Sequence, residues 1–289
     1  MAFKHLICIC TVFLFFQSFA QINDLGGIEH TAFFGADSQP FIGITEIEVN
    51  FPLKLAKKEH YLVNGLSYAN VMVNYNTAYG FETSELDRFH ILTYTLGYTF
   101  PINERWRFTA QVSPSLASNF AAGASFDDFV MNGSIILIRT IKAPKKNRLT
   151  LGLAYNQTSG IPIPLPFITY YKEITPNLSY TVGVPITKMK YFFGGRKQSL
   201  ESFVRLAGFF SNLSNPITIN EQQARQINLS AVVVGFGYDY YIGKRLNLFV
   251  KTGYLLRSQL RLEENARTEV FNFDLSNIYY ARGGFKFNF

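Results

Sequence analysis

The sequence predicts an all-β protein: a transmembrane antiparallel up-and-down β-barrel of about 12–14 strands, preceded by an N-terminal signal peptide. Hydrophobic and polar side chains alternate with the period of a β-strand through most of the chain. No segment after residue 20 is long and apolar enough to be a membrane-spanning helix. A chain that crosses a membrane without such helices must do so as a closed sheet.

The N-terminal segment, residues 1–20, is predicted to be a signal peptide, and residues 21–289 are predicted to form the barrel. A basic start is followed by an apolar run at residues 6–16 and by Ser18, Phe19 and Ala20, which resemble a small-x-small cleavage site. The apolar run is shorter than the about 20 residues that a membrane anchor needs, which favours export.

Composition excludes several function classes. The formal net charge of +7 becomes +6 without Lys4 of the leader, and the basic residues are spread singly rather than clustered. We therefore expect no nucleic-acid partner. Both cysteines, Cys8 and Cys10, lie in the leader, so disulfides and thiolate sites are excluded from the predicted mature chain. No metal-ligand spacing or phosphate-binding glycine loop is present, and no cofactor is expected.

The repeated unit of the chain is an alternating strand, a turn and another strand. In residues 41–55, Ile47 and Val49 fall on one face while Glu46 and Glu48 fall on the other. One such segment is weak evidence, but about a dozen in series indicates a membrane barrel. Further examples are residues 88–100, 106–118, 149–155 and 246–262.

Two kinds of link between the strands orient the barrel, because short turns face the periplasm in outer-membrane barrels and longer loops face outward. The predicted short links are residues 56–60, 103–105, 143–147, 175–177, 194–197 and 242–245. The predicted outer loops are residues 76–87, 119–128, 159–166, 212–225 and 263–270. Residues 21–36 form either a first strand or a periplasmic tail.

The last strand combines two roles. Phe285, Phe287 and Phe289 lie on one face, and Arg282 and Lys286 lie on the other. The aromatic ending resembles the C-terminal β-signal by which bacterial outer-membrane barrels are recognised for assembly. We therefore expect export through the inner membrane to the bacterial outer membrane, with the barrel-assembly machinery and outer-membrane lipid as partners.

Alternation also assigns a set of charged side chains to the barrel interior. They could form a network of paired charges that fills a narrow lumen, or a basic-walled pathway that favours anions. The last strand should pair with the first, which brings basic residues close to the glutamates. The lumen candidates are Glu46, Glu48, Lys188, Lys190, Glu201, Arg205, Lys251, Arg257, Arg261, Arg282 and Lys286.

Three prolines on alternate residues, Pro162, Pro164 and Pro166, predict a stiff extended segment. One interpretation is a loop that folds over the barrel mouth and constricts it. The other is a rigid surface turn that caps two short strands.

The middle of the chain carries the most distinctive motifs: LTLGLAY at residues 149–155, GIPIPLP at residues 160–166, NLSY at residues 177–180, and Val184-Pro185. These motifs resemble an uncharacterised family of outer-membrane β-barrel proteins, the domain of unknown function 6268, which is frequent in Bacteroidetes. The resemblance implies the fold and the location, and it implies no catalytic residues.

Two functions from different classes follow. The first is a pore for small solutes with a basic, anion-favouring lumen, whose ligands would be small anionic solutes. The alternative is a plugged structural or binding barrel that acts through its external loops. A remote alternative is an outer-membrane lipid hydrolase that would use Ser84 and His90 with Glu85 or Asp87. We expect no enzymatic activity, because the spacing of these residues is unremarkable.

Overall fold

The chain folds into one closed antiparallel barrel. The computed structural model describes residues 24–36, 38–141, 146–157, 160–265 and 268–288; the predicted signal peptide and Phe289 lie outside them. In these residues 15 strands form one sheet, and all of them except β14 build a closed wall of 14 strands. The predicted up-and-down barrel of 12–14 strands is confirmed.

The wall strands are joined almost entirely by turns and loops. Two short 3₁₀ helices, Ser84–Leu86 and Phe126–Asp128, precede β4 and β6. No helix in the described part of the chain is long and apolar enough to cross a membrane. The strands are β1 (Asp24–Phe34), β2 (Phe41–Lys54), β3 (Tyr61–Asn74), β4 (Arg88–Pro101), β5 (Trp106–Ser118), β6 (Phe129–Ile141), β7 (Asn147–Asn156), β8 (Ile161–Thr175), β9 (Leu178–Val184), β10 (Ile186–Phe193), β11 (Gln198–Ile219), β12 (Gln222–Ile242), β13 (Leu246–Asn265), β14 (Thr268–Phe273) and β15 (Tyr279–Asn288).

The barrel closes between β15 and β1. Phe285 of β15 lies opposite Ile28 of β1 on one side and opposite Leu248 of β13 on the other. β14 pairs with the outer part of β13, where Phe273 lies opposite Leu260. β14 and β15 therefore lie along the same side of β13, separated by residues 274–278. The N-terminal segment therefore supplies a wall strand rather than a periplasmic tail.

The two ends of the barrel differ in their links. We call one end the short-turn end; its turns are residues 55–60, 102–105, 176–177, 194–197 and 243–245. The opposite end, which we call the loop end, carries the longer connections before β4 and β6. In outer-membrane barrels the short turns face the periplasm.

Three predicted outer loops are largely strand, so their assignment was wrong. β11 and β12 continue through residues 212–225 and turn at Asn220 and Glu221, whose φ angles are +47° and +69°. β13 and β14 occupy most of residues 263–270, and β8 begins at Ile161. A two-residue turn with positive φ suffices to reverse a strand, so polar residues near it need not end the strand.

The strand period separates an outer face from the interior. Phe236 on β12 and Val250 on β13 are 71% and 66% exposed, as a lipid-facing band requires. Inside the loop half, Phe209 and Phe210 of β11 are 1% and 0% exposed. Burying a side chain of this size stabilises the fold by about 1.5–3 kcal/mol.

Candidate functional site

Strand pairing places four interior charges in one row of the sheet. Successive partners across neighbouring strands are Lys190 on β10, Glu201 on β11, Gly237 on β12, Lys251 on β13 and Arg282 on β15. Directly paired residues on adjacent strands point to the same face, so all five face the lumen. We call these residues the charged row.

Glu201 is the centre of the charged row. Its side chain is fully buried, and its carboxylate lies 3.4 Å from Lys190 Nζ, 3.8 Å from Lys188 Nζ, and in contact with Lys251 Nζ. Gly237 makes room for these contacts, because a Cβ there would lie 3.0 Å from Lys251 Cγ and 3.1 Å from Glu201 Cγ. A buried carboxylate without such partners would keep a desolvation cost of several kcal/mol.

Asp239 extends the network one step toward the short-turn end. Its carboxylate lies 3.0 Å from Lys190 Nζ and accepts hydrogen bonds from Asn247 Nδ2 at 3.1 Å and Ser199 Oγ at 3.3 Å. Lys190 Nζ also donates to the Tyr241 hydroxyl at 3.1 Å. Lys190 is therefore shared between two carboxylates, and its position is determined by three strands.

Two ion pairs join the first and last strands inside the barrel. Arg282 of β15 pairs with Glu29 of β1, and Lys286 Nζ lies 2.8 Å from Asp24 Oδ2. The acidic partners of β15 therefore come from β1, one strand before the glutamates that the sequence suggested.

Two large cavities lie in the described part of the lumen. The larger has a volume of about 660 Å³, and we call it the basic cavity because six of its lining residues are basic. The smaller has a volume of about 390 Å³ and is lined mainly by uncharged polar side chains, including Thr95, Gln111 and Asn132. The basic residues of the larger cavity are Lys188, Lys190, Arg205, Lys251, Arg282 and Lys286.

Apolar side chains from the outer part of β11 close the loop half of the lumen. The ring centroid of Phe209 lies 6.1 Å from that of Phe89 on β4. Asn212 forms a parallel bridge with Ser118 of β5, a strand that is not a neighbour of β11 in the wall. The outer parts of β11 and β12, residues 206–225, therefore fold into the lumen, and we call them the plug hairpin.

Polar contacts hold the plug hairpin to the outer loops. Asn212 Nδ2 donates to the Asp127 carbonyl oxygen at 3.0 Å, and Asn215 Nδ2 donates to Glu85 Oε1 at 3.1 Å. The other oxygen of Glu85 accepts a hydrogen bond from Asn119 Nδ2 at 2.8 Å. These latch contacts connect the hairpin to the connections before both β4 and β6.

An aromatic cluster covers the loop end beside β14. The ring centroids of Tyr79 and Phe273 are 5.1 Å apart, and those of Phe271 and Phe273 are 5.0 Å apart. Tyr75 packs on the same cluster, 5.3 Å from Phe273. Burial raises the pKa of the Tyr75 hydroxyl well above its usual value, and the charge of Asp87 adds to the effect. Tyr75 therefore stays neutral at physiological pH.

Two predicted lumen residues lie elsewhere. A bulge in β13 brings Arg257 opposite Val232 of β12. The next residue of β12, Val233, is buried and points inward, so Val232 points outward. Arg257 therefore lies on the outer face, where it is exposed. The lumen assignment of Arg257 was wrong because simple alternation does not anticipate a bulge. Arg261 lies near the loop end, 3.3 Å from Glu263, and does not line the basic cavity.

The other lumen candidates lie in the interior. Glu46 and Glu48 line a small cavity of about 140 Å³ together with Arg282 and Lys286. Asn50 Nδ2 donates to Glu48 Oε1 at 2.7 Å. The two glutamates thus face the basic last strand across β1, without an ion pair to it among the described contacts.

The proline segment is part of a strand, so the constricting-loop hypothesis was wrong. Pro162, Pro164 and Pro166 all belong to β8, and Pro164 and Pro166 are exposed. The side chain of Pro162 lies outside the described part. Proline favours extended geometry, and it is tolerated where a strand edge has no partner.

Phe285 and Phe287 of the last strand lie on its outer face. Phe287 is 47% exposed, and its ring packs edge-on against Phe285 at 5.6 Å. Phe289 lies outside the described residues. The role of the three phenylalanines in assembly stays a prediction.

Sequence reasoning found the acidic partner Glu201 but missed three others, Asp24, Glu29 and Asp239. Asp239 alternates with Gly235 and Gly237 on the inner face of β12, so the strand period could have found it. Asp24 and Glu29 required the assignment of β1 as a strand, and its sequence pattern is weak.

The residues of the hydrolase alternative have other partners. His90 Nδ1 lies 2.6 Å from the Tyr68 hydroxyl oxygen, and Glu85 takes part in the latch contacts. Among the described residues, no contact joins Ser84 to His90. No group of three or more His, Cys, Asp or Glu side chains in the described ranges could hold a metal ion.

The model of a protein family, the domain of unknown function DUF6268, matches residues 42–288. The chain belongs to the DUF6268 family. The match covers the wall from β2 to β15, and the family description assigns no function. A search of curated proteins found no match.

Several solved structures are similar to this DUF6268 protein at low sequence identity. The NanC porin is 7% identical, with 91% of this chain and 100% of that chain covered and a TM-score of 0.40. Outer membrane phospholipase A from Escherichia coli is 11% identical, with 95% of each chain covered and a TM-score of 0.36. A deltaS2 mutant of the TodX monoaromatic hydrocarbon channel is 11% identical, with 94% and 92% covered and a TM-score of 0.40.

Proposed function

We propose that this DUF6268 protein is a bacterial outer-membrane barrel that binds small anionic solutes in its basic cavity while its loop half stays closed. The fold is that of outer-membrane β-barrels. The observation that carries the proposal is the plug hairpin, whose Phe209 and Phe210 fill the lumen between the basic cavity and the loop end. A free diffusion path along the barrel axis would need these side chains to move.

The charge balance of the cavity supports an anionic ligand. Six basic residues line it, whereas the acidic residues on its wall or paired with those bases are Asp24, Glu29, Glu201 and Asp239. The difference, six minus four, leaves an excess of two positive charges. Low-dielectric walls focus the field of such an excess and concentrate counter-ions.

A second candidate is an anion-selective pore. The basic cavity favours it, because the row of Lys190, Lys251 and Arg282 could also select a permeating anion. In that function the plug hairpin would have to leave the lumen.

Planar-bilayer recordings of the purified protein distinguish the two functions. We expect the wild type to give no stable unit currents. The double variant Phe209→Ala/Phe210→Ala should give unit currents with an anion-biased reversal potential, because it opens the loop half above the basic cavity. The lipid-facing substitution Phe236→Ala is the matched control and should stay silent. Stable wild-type currents would favour the pore.

The remaining expectations belong to the same proposal. The barrel-assembly machinery and outer-membrane lipid are its expected partners, and we expect no enzymatic activity. Replacement of Phe289 should impair assembly, whereas replacement of Lys286 should change the lumen without blocking insertion.

A further inference from the structure

The barrel wall is irregular at one place, the hairpin of β9 and β10. These strands have 7 and 8 residues, whereas their outer neighbours β8 and β11 have 15 and 22. The hairpin turns at Pro185, where Val184 lies opposite Ile168 of β8 and Ile186 lies opposite Arg205 of β11. The β9–β10 hairpin therefore reaches only part of the height of the wall.

Beyond this hairpin, β8 and β11 face each other without a strand between them. Residues 161–167 of β8 pair with β7, and β11 from Leu206 onward pairs with β12 and makes its single bridge to β5. The base of the gap is closed by a hydrogen bond from Leu206 N to the Pro185 carbonyl oxygen at 3.2 Å. We call this gap the β8–β11 seam.

The prolines of β8 suit an edge that stays unpaired. Glu173 N donates to the Lys146 carbonyl oxygen next to β7, so in the regular stretch 165–173 the odd-numbered amides of β8 point to β7 and the even-numbered ones point to the other side, which is β9 up to Ile168 and the seam at Pro166. Pro166 therefore removes an N–H group from the seam edge, and Pro162 and Pro164, which lie where the register of β8 against β7 shifts, leave the same end of β8 with two fewer N–H groups. An N–H group without a partner is costly in lipid, and these prolines avoid that cost.

Both large lumen cavities meet the wall at the seam. The basic cavity is lined there by Pro185, Arg205 and Leu206, and the smaller cavity by Phe167 and Gly208. Outside the barrel the rim is apolar; its exposed side chains include Ile168, Val184 and Val204. The seam thus adjoins apolar lipid on one side and a basic cavity on the other.

Arg205 differs from the other basic residues of the cavity. Each of the other five has a carboxylate within 4 Å, whereas Arg205 has no ion pair within the described ranges, and Arg205 Nε donates to the Leu206 carbonyl oxygen at 3.4 Å. In the sheet it aligns with Ile186, Val233 and Leu255 rather than with charged side chains. An anionic partner stabilises a cation in apolar surroundings more than it stabilises a cation in water.

We propose that the seam admits an anionic amphiphile with a single acyl chain from the membrane, with its headgroup at Arg205 and its chain along the proline edge of β8. A carboxylate or a phosphate would satisfy the guanidinium, and an acyl chain would cover the apolar rim. The inference deepens the proposed function and rests on it, since it names the ligand class of the basic cavity.

Photo-crosslinking in proteoliposomes tests the inference. A diazirine-bearing fatty acid and a diazirine-bearing lysophosphatidic acid probe the carboxylate and phosphate sources, and a diazirine-bearing fatty alcohol is the neutral control. At least one anionic probe should label peptides that contain residues 161–168 and 203–210, whereas the alcohol should label the outer face without preference. Arg205→Met should reduce this labelling about tenfold, because it removes a charged contact.

Two further variants separate the headgroup contact from general effects. Arg205→Lys should restore labelling to within about twofold, because the positive charge is kept. Arg257→Met removes an arginine from the outer face and should leave the labelling unchanged. Heat-modifiability on gels reports whether each variant is folded.

The inference would be overturned if folded Arg205→Met were labelled at the seam as strongly as the wild type. Uniform labelling around the barrel would overturn it as well. A measurement of inorganic phosphate binding then shows whether the lateral route alone fails or the proposed function fails with it. If phosphate binds the wild type while the seam is not labelled, the cavity is an anion site and the lateral route is wrong. If neither phosphate nor an amphiphile binds, the proposed function fails as well.

Discussion

The two halves of the lumen share most of their strands, yet their interiors are opposite in character. Toward the short-turn end, Glu201, Lys251 and Arg282 form the charged row. One step toward the loop end, the interior row contains Phe203 and Tyr280, whose ring centroids are 6.2 Å apart. A single step along each strand therefore separates an ionic network from an apolar core.

The difference shows that rows across the sheet, rather than single strands, determine what the lumen can hold. Gly235 lies in the aromatic row, and a Cβ there would lie 2.8 Å from Phe203 Cζ. Gly237 lies in the charged row and leaves space between Glu201 and Lys251. Glycine on β12 thus admits aromatic rings in one row and an ion pair in the next.

The largest effect is expected from the apolar half. Phe210→Ala should lower the free energy of unfolding by about 3–5 kcal/mol, because the side chain is fully buried and the loss leaves a cavity. Urea unfolding in detergent micelles measures this change. Phe236→Ala, on the outer face, should cost far less, and equal losses would show that the plug hairpin is not packed.

The charged half should respond to the loss of its central carboxylate. Glu201→Ala should lower the free energy of unfolding by about 3 kcal/mol, because it leaves three partly buried lysines without their shared partner. Thermal melting followed by circular dichroism checks this, with Glu201→Gln as the shape-preserving control. If Glu201→Ala were neutral, the lysines would be hydrated by lumen water rather than held by Glu201.

A smaller effect is expected at the latch contacts. Asn212→Ala removes a hydrogen bond to the Asp127 carbonyl oxygen and should cost about 1–2 kcal/mol. The variant should also raise protease sensitivity at residues 206–225 without changing the rest of the barrel. Limited proteolysis with mass spectrometry reads this out, and unchanged cleavage would argue against a latch.

The smallest effect is expected at the surface of the short-turn end. Arg107 and Glu59 form an ion pair at 3.3 Å, and the Glu59 side chain is 55% exposed. Glu59→Ala should therefore change the free energy of unfolding by less than about 1 kcal/mol. The same urea titration provides the measurement, and a loss as large as that of Glu201→Ala would remove the contrast between surface and lumen pairs.

The sequence predicted the charged half better than the apolar half. Alternation is sufficient to place Lys190, Lys251 and Arg282 inside, because these strands are regular and each row follows from the pairing. It could not predict the plug hairpin, because residues 206–210 are apolar on both faces and the bridge between Asn212 and Ser118 joins distant strands. Such a contact depends on the completed barrel.

The error at Arg257 has a different cause. The bulge in β13 adds one residue to one strand only, so every later side chain changes face without any change in composition. The proline segment was misassigned for a related reason, since its unpaired edge follows from the shortness of β9 and β10. Both features are set by neighbouring strands.

The central claim is that the basic cavity is closed toward the loop end, and labelling of a single cysteine from each side tests it most directly. The described residues contain no cysteine. Asn247→Cys reports on the cavity, and Phe126→Cys, at a position that is 87% exposed at the loop end, is the control. A membrane-impermeant maleimide added to intact cells should label Phe126→Cys alone, and permeabilised cells should show labelling at both positions. Labelling of Asn247→Cys in intact cells at the rate of Phe126→Cys would contradict the account.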